Sequence, residues 1–207
     1  MNNLSHKLAT FISVVFHPLL VTTYGVVVLL FGHPQLSLFL PLHYKLKLIG
    51  VIFLFTGILP VANILLMYAF KHVQSIYLES KEDRRILYFT TIIFFAAAYY
   101  LLHSLQLSLL IEHLLLGALV ALVITFILNM FWKVSAHMVG IGGVCMAMYL
   151  VSGRVNVLLL FPAFVFVAGL VGSSRLLLQA HTPAQVYVGF AIGLVSMLLV
   201  FAVSFPF

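Results

Sequence analysis

The chain has 207 residues, of which 64% are hydrophobic and 7% charged, with ten Lys and Arg against four Asp and Glu. A water-soluble domain of this size is excluded, because too little polar surface would remain to face water. The net charge of +6 is spread over many loops and makes no nucleic-acid patch; basic loops beside a bilayer set topology or meet lipid head groups.

In chain order, seven apolar segments stand out, at about 9–31, 46–70, 86–102, 108–131, 138–152, 156–173 and 184–205. Segments such as "VITFILNMF" do not alternate, which argues against a β-barrel. The expectation is a single all-α domain over 1–207, a polytopic transmembrane helix bundle of about seven helices, or six if one segment does not span. The opening run carries only Lys7 and no clear small-residue cleavage site, so it reads as a first membrane helix. Pro18 and Pro60 fall inside the first two segments and predict kinks, and His17 reads as a partner for kinked backbone. The fifth and sixth segments are short for a full crossing. Longer linkers are expected at 32–45 and 71–85. Cys145 lies in an apolar run, excludes an intrachain disulfide and reads as a small packing residue.

Seven crossings fix parity. Lys81, Arg84 and Arg85, then Lys133, Ser135 and His137, then Arg175 and His181, all fall on the N-terminal side of the membrane. An arginine fork binds oxyanions and stays charged. A histidine such as His181, followed by Pro183 at the head of the last helix, is a candidate nucleophile at phosphorus. In "WKVSAHMVGIGG" Ser135 and the helix start suit an anion, and His137 suits proton donation to a leaving alkoxide. Against this stands the plainer reading, in which the arginines set topology and the histidines cap helices. Trp132 and Lys133 read as interface anchors, and Gly140, Gly142 and Gly143 as close helix packing. His113 follows Glu112 on the opposite side. No His, Cys and carboxylate spacing argues for a metal, and four acidic residues do not form the paired aspartates of magnesium-dependent transferases.

These residues resemble the type 2 phosphatidic acid phosphatases (lipid phosphate phosphatases), which are related to vanadium haloperoxidases and carry K-x6-R-P, P-S-G-H and S-R-x5-H-x3-D. "SRLLLQAH" matches S-R-x5-H at Ser174, Arg175 and His181. "VSAH" keeps Ser135 and His137, with Val134 for Pro and Ala136 for Gly. "SKEDRRI" keeps Arg85 beside Arg84, but Lys81 lies four residues before Arg85 and Ile86 replaces Pro. Gln185 stands where the family has Asp. The resemblance covers roughly 70–205 and marks a divergent member. It implies cofactor-free hydrolysis of a phosphomonoester or diphosphate on a lipid, with membrane lipids as neighbours. In that reading His181 attacks phosphorus and His137 protonates the leaving oxygen. Arg175, Arg85 or Arg84, Lys81, Ser135 and Ser174 hold the phosphoryl group, and Gln185 orients His181 without supplying charge. The alternative is a weak or inactive homologue that binds or moves a phospholipid. The resemblance further implies a bacterial cytoplasmic membrane and a site facing away from the cytoplasm.

Overall fold

The computed structural model describes residues 3–73, 81–106, 108–152 and 160–204, which are helical apart from short turns. Large apolar side chains face outward along the bundle, for instance Phe131 and Val203, which are 81% and 84% exposed. Inside lies a close-packed apolar core that includes Leu30, Ile52, Leu115 and Val171. A chain apolar on both its inner and outer faces is an integral membrane bundle.

The expected first segment is two helices, α1 (Asn3–Val15) and α2 (Pro18–Gly32), bent by 61° at the break. Pro18 cannot donate a backbone hydrogen bond, so the ladder stops before it. His17 occupies the N-cap of α2, and its Nδ1 accepts the Leu19 N–H at 3.4 Å. The kink is therefore a full break, made useful as a helix start. α1 begins well before residue 9 and presents Leu4, Leu8 and Phe11, one turn apart, as an exposed stripe. The stretch 32–45, read as a linker, holds the short helix α3 (Pro34–Phe39) and the start of α4 (Leu42–Phe53).

Pro60 has a gentler effect. Its missing N–H is absorbed by a π-helical turn over Leu54–Ile58, between α4 and α5 (Leu59–Ala69), and the 28 residues Leu42–Ala69 continue as one span. The Thr56 hydroxyl donates to Ile52 O at 2.9 Å, and the Thr23 and Thr56 hydroxyls meet at 3.3 Å, tying α2 to this turn. α6 (Lys81–Leu105) starts at Lys81, so Arg84 and Arg85 lie on a helix and not in the expected loop. α7 (Leu109–Asn129), α8 (Ala136–Ser152), α9 (Leu160–Leu177) and α10 (Pro183–Ser204) follow.

Among the described residues, four helical spans are long and apolar enough to cross a bilayer, and the bent α1–α2 pair makes a fifth. α8 and α9, with 17 and 18 residues, are the two shorter ones, matching the two short segments of the sequence. Neighbour relations fix the directions. Gly140 faces Pro18 and Val21 while Gly25 faces Val144, so α2 and α8 run parallel. Gly172 faces Met138, so α9 returns antiparallel. A Cβ on Gly142 would run into the Phe190 carbonyl, and one on Gly193 into the Val139 carbonyl. α8 and α10 thus approach backbone to backbone, as small residues permit in membranes. The starts of α2, α8 and α10 and the end of α9 therefore meet at one end of the bundle.

Candidate functional site at one end of the bundle

Chain reversal between α9 and α10 sets the position of His181. α9 ends with Gln179 in the left-handed conformation (φ 52°), where Ala180 N–H bonds back to Arg175 O at 3.1 Å. α10 then opens with a feature that the sequence reading missed. The Thr182 hydroxyl accepts the Gln185 N–H at 3.4 Å, and Gln185 Oε1 accepts the Thr182 N–H at 3.2 Å. With Pro183 between them, "TPAQ" is a capping box of the S/T-x-x-E/Q type, and that spacing was its legible signal.

The same Oε1 faces His181 Nδ1 at 3.1 Å. An amide oxygen already accepting from a backbone N–H can only accept, so Nδ1 carries the imidazole proton. Nε2 is left with a free lone pair. Burial, and the charges of Lys133, Arg175 and Arg84, pull the His181 pKa from 6.5 down to about 4, against the opposing bond to Gln185. At neutral pH the ring is an uncharged base. It lines an open cleft of about 560 Å³ together with Lys133, Gln179, Thr182 and Gln185.

Three cations gather around it. Lys133 is exposed, and its Nζ donates to Ala180 O at 3.0 Å, which ties the α7–α8 connection to the loop of His181. Burial, followed by the charges of Arg84 and Arg175, lowers the Lys133 pKa. Arg175 Nε is sealed from solvent and has no hydrogen-bond partner. Among the described residues neither Lys133 nor Arg175 forms an ion pair with a carboxylate; the ion pair present, His103–Glu112 at 3.0 Å, lies at the opposite end. Lys133 and Arg175, like charges in reach of one another with no carboxylate paired to either among the described residues, form a place for an anion.

His137 sits in the first turn of α8, within the electrostatic reach of Arg175 and His181. Its Nε2 donates to Ser13 O of α1 at 3.0 Å, and its ring meets that of His17 edge-on at 5.5 Å. His17 is a site residue whose proximity the sequence did not reveal, because 120 residues separate it from His137. Its only signal was a histidine beside a proline in an apolar run.

Other expected ligands are placed less favourably. The Ser174 hydroxyl donates to Leu170 O at 2.7 Å within its own helix and is buried. Ser135 is fully buried, its N–H donates to Gln185 O at 3.3 Å, and its hydroxyl has no partner. Its contribution is to join α8 to α10. Arg84 faces the cluster, whereas Arg85, one residue on, is exposed. Lys81 starts α6, and its side chain lies outside the described residues. Behind the cluster, Asn129 Oδ1 accepts the Val134 N–H at 3.2 Å and its Nδ2 donates to Thr125 O at 2.9 Å, bracing the connection before α8. Among the described residues, no three His, Cys, Asp or Glu side chains gather at metal-binding distance.

No protein-family model, curated protein or solved structure matches this chain.

Proposed function

We propose that this chain is a membrane lipid phosphatase, resembling the type 2 phosphatidic acid phosphatases, that hydrolyses a phosphomonoester or diphosphate on a lipid. One observation carries the reading. His181 is held as a neutral imidazole with Nε2 free, at the wall of an open cleft that Lys133 also lines, within the electrostatic reach of Arg175 and Arg84.

In this reading Nε2 attacks phosphorus and the phosphorus–oxygen bond to the lipid breaks. The leaving oxygen takes a proton from His137. The His137 Nε2–H is engaged with Ser13 O, so this step requires a second proton on the ring, at Nδ1. Water then cleaves the phosphohistidine, returning phosphate and the free imidazole. Arg175, Arg84 and Lys133 stabilise the phosphoryl charge, which is the larger share of catalysis in such a reaction. The reading places the chain in a bacterial cytoplasmic membrane, with the substrate's apolar tail in the bilayer and its phosphate at the cluster.

A specific observation favours a second reading, a homologue that binds or moves a phospholipid with little turnover. Gln185 gives His181 orientation but no negative charge, and its capping box explains a neutral glutamine there without catalysis.

Phosphate release from a panel of lipid phosphates by the purified protein tests the proposal, with His181→Ala as control. Release by the wild type, abolished in the variant while its helical content is unchanged, is the expected result. Equal release by both removes His181 as the nucleophile. Binding without release selects the second reading.

A further inference from the structure

A second cavity adjoins the site from the side. An apolar groove of about 550 Å³ runs between the α1–α2 break and the π-helical turn, lined by Leu20, Phe53, Gly57, Val61 and Leu65, with His17 as its ionisable member. Phe53, Val61 and Leu65 are exposed, so the groove opens on the membrane side of the bundle. The Thr23–Thr56 contact holds its two walls together, and the π-helical turn at Pro60 shapes one of them. The groove falls within the ~300–1,000 Å³ range of small-molecule sites. His17 belongs to both places: it lines the groove, and its ring meets His137 at the edge of the Arg175 cluster.

We infer that this groove holds the hydrocarbon chain of an anionic phosphate-bearing lipid, with His17 as the positioning residue at the junction between chain and head group. The occupant follows from charge complementarity. An apolar trough leads by way of His17 toward Arg175, which pairs with no carboxylate among the described residues, so the ligand it fits is apolar along its length and anionic at one end. Bulk neutral lipid matches the trough alone, and free phosphate matches the cluster alone. The inference deepens the phosphatase reading by naming the route and the seat of the substrate's tail. It rests on that reading only for the claim that the bound lipid is then hydrolysed.

Quenching of a single tryptophan by lipids brominated on the chain tests it. The full chain with Trp132→Phe, His181→Ala and Val61→Trp would be placed in phosphatidylcholine vesicles containing a trace of brominated phosphatidic acid, or of brominated phosphatidylcholine. The acid is expected to be enriched about tenfold at the groove, the low end of what one charge-assisted hydrogen bond contributes. Arg175→Ala should remove that preference, and His17→Ala should reduce it. Inorganic phosphate should compete for the cluster without quenching. Phe89→Trp is the control, since the Asn63–Thr90 bond at 3.0 Å sets the exposed Phe89 at the same depth on another helix. Selective quenching at 61 but not at 89 supports the groove. Equal quenching by both lipids at 61, or the same selectivity at 89, overturns it. Phosphate release by the wild type, measured separately, tells this failure from a failure of the phosphatase reading.

Discussion

Gln185 uses one oxygen for two bonds, to the Thr182 N–H and to His181, and this limits which substitution reports on chemistry. Alanine would remove the cap as well as the orientation of the ring. Glutamate keeps the reach and the capping-box geometry and adds a negative charge. A carboxylate on Nδ1–H favours the protonated ring, so Gln185→Glu should raise the His181 pKa from about 4. The sign for activity follows. His181 must be unprotonated to attack, so kcat/KM of the wild type should fall as pH drops through about 4, and in Gln185→Glu the fall should begin at higher pH. Near neutrality the added charge should raise turnover by roughly tenfold or more, with the ~10⁴-fold cost of losing such an acid in a serine-protease triad as an upper bound. A pH–rate profile of both proteins checks this, and an unmoved acid limb would remove His181 from the rate equation. Arg175→Lys keeps a charge but loses the planar fork and should cost about tenfold in kcat/KM, seen in the same assay. The His181–Gln185 pair was legible because a four-residue spacing at a helix start puts both on one face. Arg84 over Arg85 was not, because adjacent positions on a helix face about 100° apart and only the packing of α6 chooses between them.

The α8–α10 contact is the element on which the site depends. It joins the loop of His181 to the start of α8 through the Ser135–Gln185 backbone bond, and Gly142 and Gly193 allow the approach. A methyl group at 193 would meet the Val139 carbonyl, the Gly143 N–H and the Gly142 carbonyl carbon, all backbone and none able to swing aside. Gly193→Ala should therefore destabilise the bundle by roughly 1–3 kcal/mol or more through overpacking, and reduce phosphate release by moving His181 away from Arg175 and His137. Thermal unfolding in detergent, followed by circular dichroism, measures the first effect. Thr182→Ala, which removes a cap and leaves the packing alone, should cost roughly 0.5–2 kcal/mol by the same measurement. An unshifted melting midpoint in Gly193→Ala would mean that the helices separate freely and that α10 does not set the geometry. The glycine cluster was legible as packing because it lay within an apolar run. The partner helix was not, since small residues say that something comes close without saying what. The two prolines show the same limit. Each announced a perturbed helix, but Pro18 follows a histidine able to cap a new start, whereas Pro60 is absorbed by one wide turn.

At the scale of the whole molecule, the bundle sorts its cations by end, and the question is which compartment faces the site. Seven Lys and Arg (Lys7, Lys71, Lys81, Arg84, Arg85, Lys133, Arg175) belong to the site end by chain direction, against Lys45 and Lys47 at the other, to which the sequence parity adds Arg154, outside the described residues. Counted naively, the positive-inside rule puts the site in the cytoplasm. The structure changes what should be counted. Arg84, Arg175 and Lys133 belong to the cluster, so their positions follow the site's chemistry. Exposed Arg85 returns to the topological tally, giving Lys7, Lys71, Lys81 and Arg85 against three. A difference of one charge does not orient a bundle, and an amphipathic α1 with one lysine is a small load to translocate. The motif resemblance then decides the expectation: the site faces away from the cytoplasm. Gln179→Cys in a Cys145→Ser background tests it, since Gln179 is exposed, lines the cleft, and loses nothing in its left-handed conformation when one non-glycine replaces another. A membrane-impermeant thiol reagent added to intact cells, spheroplasts included if an outer membrane is present, should label this cysteine. Labelling only after lysis would turn the molecule over, giving the hydrolysis a cytoplasmic pool of lipid phosphate and returning Lys7, Lys71, Lys81 and Arg85 to an ordinary positive-inside role.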